Sequence, residues 1–411
     1  MKSIRDVYKI GKGPSSSHTM GPERAARLFL SKYPDAETYR VVLYGSLSKT
    51  GRGHGTDRVL YEVLGRERTE VVFSEETPHS LPHPNTLDFF ACREGKPYAT
   101  MRVASIGGGD IRIEGQDAPQ EQDAPQEQDE VYPENSFAEI AQFCRWRYIS
   151  LSEYVELNEG PGIWDFLAEV WQTMKQAIAD GLAAEGTLPG GLNVERKAKR
   201  LYAQSKENER PQVRELRIVC AYAFAVSEQN ADNGTIVTAP TCGSAGVLPA
   251  VLLYMQRTHN IPDAQVLRAL AVAGLFGALV KRNGSISGAE CGCQAEIGTA
   301  CSMAAAALCA LMGLSIEETE YAAEIAMEHH LGLTCDPICG LVQIPCIERN
   351  AVAAKRAMDA FNLSGLLCGS RNISFDMVVR TMKETGLHIS AKYRETSEGG
   401  LAKLYDRRAA N

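Results

Sequence analysis

The chain has 411 residues, of which 44% are hydrophobic and 23% charged, a balance typical of folded globular proteins. A chain of this length is expected to form two or three domains. The formal net charge of -8 argues against a nucleic-acid partner, because such partners require a basic surface.

The N-terminal residues carry charge from the start. The run from Met1 to Asp6 contains Lys2 and Arg5 and lacks the apolar core of a signal peptide. We therefore predict that the protein is cytoplasmic.

Residues 1–113 alternate between strand-like and helix-like segments. Strand patterns occur at 39–44, 70–73 and 99–105, and helical spacing occurs at 21–33 and 57–64. Pro22 suits a first helical turn, where its missing N–H group has no partner to lose. This alternation predicts a small α/β domain.

A tandem repeat follows this domain. The sequence Gln-Asp-Ala-Pro-Gln-Glu occurs at 116–121 and again at 122–127. Acidic, apolar-poor sequence cannot offset its ordering entropy by burial. We predict a flexible acidic linker or loop at 114–135.

Residues 136–411 have a mostly helical pattern. The uncharged run 269–280 has the length of a buried helix, and Ser315 with Glu318 forms a plausible capping box. The turn at 232–234 leads into one short extended run, 235–238. The uncharged stretch 297–314 is rich in small residues that gain little from lipid, so we interpret it as an interior helix and predict no membrane partner. The predicted fold class is α+β, with a small N-terminal α/β domain and a larger, mostly α-helical domain.

A hydroxyl-rich motif spans 13–22. It contains Ser15, Ser16, Ser17, His18 and Thr19 just before a predicted helix start, where free N–H groups favour an anion such as a carboxylate. An ordinary helix cap is the alternative, but a cap needs only one hydroxyl group.

A second motif spans 239–246 and includes Thr241, Cys242, Gly243 and Ser244. Small residues between a strand and a helix let the backbone approach a ligand closely. The motif lacks the lysine of a phosphate-binding P-loop, so it gives no support for nucleotide binding. A plain tight turn explains it equally well.

Eight of the twelve cysteines lie in the last third of the chain. A disulfide framework is not expected in a reducing cytosol. The three closely placed groups are Cys291 with Cys293, Cys335 with Cys339, and Cys346. Their spacing matches neither a ferredoxin nor a paired zinc motif, so metal binding and simple burial both remain open at this point.

Four histidines are candidate proton acceptors, because imidazole titrates near neutral pH. They are His18, His54, His79 and His83. A single histidine is more often structural, and none is convincing alone.

Together these segments closely resemble the bacterial iron–sulfur-dependent L-serine dehydratases, also called L-serine ammonia-lyases. The resemblance covers nearly the whole chain, and its most specific segments are 13–22, 51–57, 238–249, 285–290 and 328–350. It implies that residues 136–411 form the catalytic domain and that the substrate is L-serine, with pyruvate and ammonia as products. It also implies a homodimer.

By resemblance, a [4Fe–4S] cluster is held by Cys293, Cys335 and Cys346 and acts as a Lewis acid. A base then removes the α-proton of serine. We predict His83 for this role, with His18 and His54 as rivals. The resemblance also relates the N-terminal domain to an allosteric substrate-binding domain, in which case His54 would belong to a regulatory pocket.

This chain departs from some family members, which end in a cysteine that caps the open iron. Here no cysteine follows Cys368. Water, a buffer anion, the terminal carboxylate or another side chain could be the resting fourth ligand.

Three other functions are kept as alternatives. They are an L-cysteine or L-threonine lyase on the same scaffold, a non-catalytic iron–sulfur redox sensor, and a zinc-bound structural protein. Pyridoxal phosphate could bind any lysine as a Schiff base, but the resemblance argues against it.

Overall fold

The computed structural model describes residues 1–75, 81, 83–114, 130–205, 207–367 and 369–409. The elements of the first part are β1 (Ile10–Lys12), α1 (Gly21–Lys32), β2 (Thr38–Leu43), α2 (Gly45–Thr50), α3 (Thr56–Leu64), β3 (Thr69–Phe73), β4 (Thr86–Arg93), β5 (Lys96–Gly107) and β6 (Asp110–Ile113). The elements of the second part are α4 (Phe137–Arg147), α5 (Leu151–Glu159), α6 (Ile163–Ala183), α7 (Ala198–Ala203), α8 (Pro211–Ala231), β7 (Thr235–Val237), α9 (Val247–His259), α10 (Asp263–Asn283), α11 (Gly288–Cys291), α12 (Thr299–Leu311), α13 (Ile316–Glu328), α14 (Cys346–Leu367), α15 (Phe375–His388) and α16 (Gly400–Ala409). The predicted α+β fold is confirmed.

A five-stranded sheet in the order β3-β2-β4-β5-β6 forms the first part. Strands β2 and β3 are parallel, and the other pairs are antiparallel. Alternate residues Tyr39, Val41 and Leu43 of β2 are buried, as the period of a strand requires. They join Phe29 of α1 and Leu60 of α3 in one hydrophobic core. The three predicted strands are confirmed, and the sheet has two additional strands, β4 at its centre and β6 at its edge.

The second part is built around α10 and α12, which pack against each other. Helix α10, over Asp263–Asn283, and the helical stretch Gln294–Leu311, which contains α12, have the length and hydropathy of a membrane span. However, 72% and 89% of their most apolar 18 residues are buried by the rest of the protein. They are therefore core helices, in agreement with the interpretation of 297–314. The capping box of Ser315 and Glu318 is also confirmed at the start of α13.

The first eight residues pack away from the sheet. Met1, Ile4, Val7 and Tyr8 are buried in the core of the helical part, where the Tyr8 hydroxyl donates to the carbonyl of Leu270 at 2.8 Å. Strand β1 pairs with β7 in the same region. The boundary at residue 113 stays a prediction, and the N-terminal segment ties the two parts together.

The predicted linker lies largely outside the described residues, because both copies of its repeat fall within 115–129. The chain is described again from residue 130. It then enters α4 through a capping box between Ser136 and Glu139.

Candidate active site

The hydroxyl-rich motif folds into a tight helical turn, Ser16–Met20, directly before α1. The Ser15 hydroxyl accepts the backbone N–H group of His18 at 3.1 Å. The Thr19 hydroxyl donates to the backbone carbonyl of His54 at 2.8 Å. These buried hydroxyl groups therefore hold the two histidine segments together, and their role in binding a substrate carboxylate stays a prediction.

The imidazole rings of His18 and His54 are stacked, with centroids 4.3 Å apart and an angle of 29° between planes. The Ser46 hydroxyl donates to the carbonyl of Glu395, so it accepts from Nε2 of His18 at 3.0 Å. Nδ1 of His54 donates to the carbonyl of Thr50 at 2.9 Å. In the neutral tautomers that these bonds require, a lone pair remains on Nδ1 of His18 and on Nε2 of His54.

Both nitrogens lie near one carboxyl oxygen, although Nδ1 of His18 also accepts from the Ser17 hydroxyl at 2.9 Å. Oε1 of Glu395 lies 3.5 Å from Nδ1 of His18 and 3.7 Å from Nε2 of His54. Burial lowers the pKa of both imidazoles, that of His54 to about 4, and raises the pKa of Glu395 well above its usual range. Neutral imidazoles beside a carboxyl group can accept and pass a proton. The same three donors lie within 4.8 Å of one another, close enough to hold a divalent metal ion.

Glu395 lies in a segment, residues 391–397, that runs beside Cys335. The N–H group of Glu395 donates to the carbonyl of Cys335 at 2.7 Å, and the N–H group of Cys335 donates to the carbonyl of Tyr393 at 2.8 Å. The φ angle of Glu395 is +57°, in the left-handed region that non-glycine residues rarely adopt. We did not predict Glu395 from the sequence, where it belongs to no motif.

The three predicted cysteine ligands come from separate segments. Cys293 precedes the helical turn Gln294–Gly298, Cys335 pairs with the segment around Glu395, and Cys346 begins α14. Hydrogen bonding with the Cys335 thiol and the nearby charge of Arg349 lower the pKa of Cys293 to about 6. A thiolate is the form that binds metal, so the lowered pKa is compatible with the predicted role of Cys293, which stays a prediction.

The three thiols are compatible with an iron–sulfur cluster. Thiolates suit both zinc and iron–sulfur clusters. Sulfur ligands of one tetrahedral zinc ion lie roughly 3.8 Å apart, from a zinc–sulfur distance of about 2.3 Å. In the part of the chain that the structure describes, the group with mutual donor distances within 4.8 Å is His18, His54 and Glu395, and the three thiols do not form such a group. At least one sulfur–sulfur distance among the three therefore exceeds 4.8 Å, although the Cys293 and Cys335 thiols are hydrogen-bonded.

The loop at 241–244 is tied to the helix that begins at Cys346. The side chain of Asn350, one turn along α14, donates to the carbonyl of Gly243 at 2.8 Å and accepts the N–H group of Gly246 at 3.0 Å. A shift of this loop would therefore be transmitted to a predicted ligand.

The side chains of this loop have different surroundings. The hydroxyl groups of Thr241 and Ser244 lie 3.1 Å apart. The Cys242 sulfur lies 3.3 Å from the sulfur of Met20, and burial raises the pKa of its thiol. Cys242 is thus a packed, protonated thiol, and its predicted contact with substrate stays a prediction.

Glu296 places a carboxyl group beside this loop. Thr241 hydrogen-bonds to it, and burial followed by the charge of Cys293 raises its pKa to about 8. A Cβ atom on Gly243 would lie 3.4 Å from Oε1, and one on Gly288 would lie 2.8 Å from Oε2. The two glycines therefore leave room for this carboxyl. Glu296 was also missed by the sequence analysis, although it follows Cys293 by three residues.

His83 lies on the wall of a cavity of about 490 Å³ that Ser46 and Arg394 also line. Its Nδ1 accepts the N–H group of Asn85 at 3.0 Å, so its Nε2 donates to the Glu290 carboxylate at 3.0 Å. Both ring nitrogens are therefore engaged. His83 stays a predicted base, but this arrangement leaves it no lone pair for a substrate proton. His79 lies outside the described residues.

Residues 124–402 match the family model "Serine dehydratase alpha chain", and residues 3–72 match "Serine dehydratase beta chain". The chain is 40% identical to an L-serine dehydratase of Streptomyces coelicolor, over 97% of this chain and 98% of the relative. It is 39% identical to L-serine dehydratase 1 of Escherichia coli, over 98% and 99%. It is 34% identical to an L-serine dehydratase of Helicobacter pylori, over 98% of each. The resemblance drawn from the motifs is confirmed, and the chain belongs to the serine dehydratase family.

Proposed function

We propose that this protein is an L-serine ammonia-lyase that converts L-serine to pyruvate and ammonia. The supporting observation is the pair of neutral imidazoles whose shared neighbour, Glu395, is hydrogen-bonded through its backbone to Cys335, in a chain of the serine dehydratase family. Cys293, Cys335 and Cys346 would hold a [4Fe–4S] cluster, which supplies a Lewis-acidic iron when bound.

His54 is the base that the geometry favours. Its Nδ1 is anchored on the carbonyl of Thr50, and its Nε2 has no hydrogen-bond donor among the described residues, with Glu395 as its neighbour at 3.7 Å. Nδ1 of His18 already accepts from the Ser17 hydroxyl at 2.9 Å, and both nitrogens of His83 are engaged. His54 would take the α-proton of serine and share it with the Glu395 carboxyl. The aminoacrylate formed by loss of the hydroxyl group then becomes an imine, which water hydrolyses.

We assign recognition of the substrate's ammonium group to Glu296. Its carboxyl lies between the loop at 241–244 and the start of α11, next to Cys293. A charge-assisted hydrogen bond contributes about 1.5–3 kcal/mol, equivalent to roughly a 10- to 150-fold change in affinity. We expect Glu296→Gln to raise the KM for L-serine by about that factor, measured by steady-state pyruvate release.

Glu324→Gln is the matched control for this change. Glu324 on α13 is also a buried carboxyl whose pKa burial raises, to about 7, but it neighbours Glu328 instead of the loop. Its KM for L-serine should stay within about twofold of the unaltered enzyme. An unchanged KM in Glu296→Gln would contradict the assignment.

The function itself is tested by pyruvate release from protein whose cluster is reconstituted without oxygen. Activity on L-serine should appear with iron and sulfide and disappear in air. Parallel rates on L-cysteine and L-threonine decide between the lyase alternatives. An intact cluster with no product from any of the three amino acids would instead support the redox-sensor alternative.

Three further properties rest on the family resemblance, and we include them in the proposal. They are a cytoplasmic location, a homodimer and a regulatory role for the N-terminal sheet domain. Size-exclusion chromatography with light scattering would decide the oligomeric state, and a monomer at micromolar concentration would contradict the homodimer.

A further inference from the structure

Glu395 carries an unsatisfied buried oxygen. The residue is 5% exposed, and its Oε2 atom has no hydrogen-bond partner among the described residues. Its other oxygen, Oε1, faces the two imidazoles at 3.5 and 3.7 Å. An unpaired buried polar atom is costly, and such atoms commonly mark the place of an ion or ligand.

The Glu395 carboxyl lies near the predicted cluster ligands. Two backbone hydrogen bonds join its segment to Cys335, and the charges of Glu296 and Cys293 add to the effect of burial on its pKa. The Ser46 hydroxyl donates a hydrogen bond to the backbone carbonyl of Glu395 at 2.6 Å, and the Ser397 hydroxyl donates to the carbonyl of Pro337. The left-handed backbone of Glu395 is thus fixed from both sides.

The three cysteines leave one iron of a four-iron cluster without a protein thiolate. The sequence has one cysteine after Cys346, namely Cys368, which lies outside the described residues. Carboxylate oxygen is an established ligand class for iron in proteins.

We propose that Glu395 is the resting ligand of this open iron and that L-serine displaces it. The inference rests on the proposed function, because it requires both the cluster and the substrate. In the exchange, the bond from the Glu395 oxygen to iron breaks as a bond from a substrate oxygen forms, and no electrons are transferred. The released carboxyl remains beside His54 and His18, where it can share the proton taken from the substrate.

The test is electron–nuclear double resonance on the reduced holoenzyme grown with ¹³C-carboxyl glutamate. A ¹³C coupling to the cluster should be present at rest and disappear when L-serine is added. It should also be absent from Glu395→Gln and retained in Glu296→Gln, the other carboxyl near the thiols. The measurement on the unaltered enzyme requires no variant to fold.

A second measurement follows loss of the open iron during oxidation by ferricyanide, observed as the signal of a three-iron cluster. Glu395→Ala should form that signal about tenfold faster than the unaltered enzyme, since the iron loses a ligand. Glu398→Gln is the control, because Glu398 lies near the same segment but pairs with Lys49 at 2.7 Å.

The outcomes separate the two proposals. An enzyme that turns over L-serine but shows no ¹³C coupling at rest would overturn the ligand assignment alone, as would a coupling that persists in Glu395→Gln. Failure of the unaltered protein to assemble a cluster would overturn the proposed function as well.

Discussion

Replacing Cys346 by alanine should abolish turnover of L-serine and prevent stable assembly of the cluster. Two thiolates would remain, and binding of a metal centre depends on its full ligand set. The measurements are iron and sulfide content after reconstitution, the visible absorption of the cluster, and pyruvate release.

Cys301→Ala is the matched control. Cys301 is a fully buried thiol on α12 that donates to the carbonyl of Ala353 at 3.3 Å. This hydrogen bond involves none of the predicted cluster ligands. Its removal should cost packing energy of about 1–2 kcal/mol and leave the cluster in place. A Cys346→Ala protein that still binds a complete cluster would remove Cys346 from the ligand set.

Replacing His54 by glutamine should lower kcat for L-serine by about 10²- to 10⁴-fold, the usual contribution of a general base. The cluster spectrum should be unchanged, because His54 contacts Thr50, Thr19, His18 and Glu395 and is not a predicted ligand. His83→Gln should have a smaller effect on kcat, since both of its nitrogens are engaged. A larger loss of kcat in His83→Gln than in His54→Gln would instead identify His83 as the base.

His330→Gln controls for loss of a buried imidazole. Nδ1 of His330 donates to the carbonyl of Ala326 four residues earlier, as His54 does to Thr50, and burial also lowers its pKa to about 4. His330 is not part of the proposed site. Its replacement should therefore leave kcat within about threefold of the unaltered enzyme.

The pH profile gives an independent check on the base. A base works in its deprotonated form, and burial lowers the pKa of His54 to about 4. Activity limited by this group should thus persist as pH falls from 8 to about 5 and decline near pH 4. A decline centred near 6.5, the ordinary pKa of histidine, would indicate a solvent-exposed base instead.

Local patterns predicted most of the secondary structure, but not the central strand β4. Thr86, Leu87, Asp88 and Phe89 alternate between polar and apolar side chains, a strand pattern that the sequence analysis did not use, and all four are buried in the structure. By contrast, β2 alternates clearly, and the caps of α4 and α13 use the expected serine and glutamate pairs. Strands β1 and β6 and helix α2 were not predicted either, because each has six residues or fewer and carries little periodic pattern.

The candidate site divides in the same way. The candidate histidines and cysteines lie in short segments where several reactive side chains occur close together in sequence. They could therefore be identified as candidates from the sequence. Glu296 and Glu395 are single acidic residues in ordinary surroundings, and acidic residues usually face solvent. Glu296 follows Cys293 by three residues, but only the pairing of Cys335 with the segment around Glu395 brings Glu395 to the thiols, and that pairing joins residues about 60 positions apart.

The buried N-terminal segment has a consequence for how the chain matures on the ribosome. Tyr8 bonds to Leu270, a partner 262 residues later. At a synthesis rate of about 5–20 residues per second, the first residues wait roughly 13–52 s before their binding groove is made. During that interval Ile4, Val7 and Tyr8 are exposed, and chaperones that bind short apolar segments can protect them. The N-terminal segment can pack into the helical core only after α10 has been synthesised. The two parts of the chain therefore reach their final arrangement late in translation.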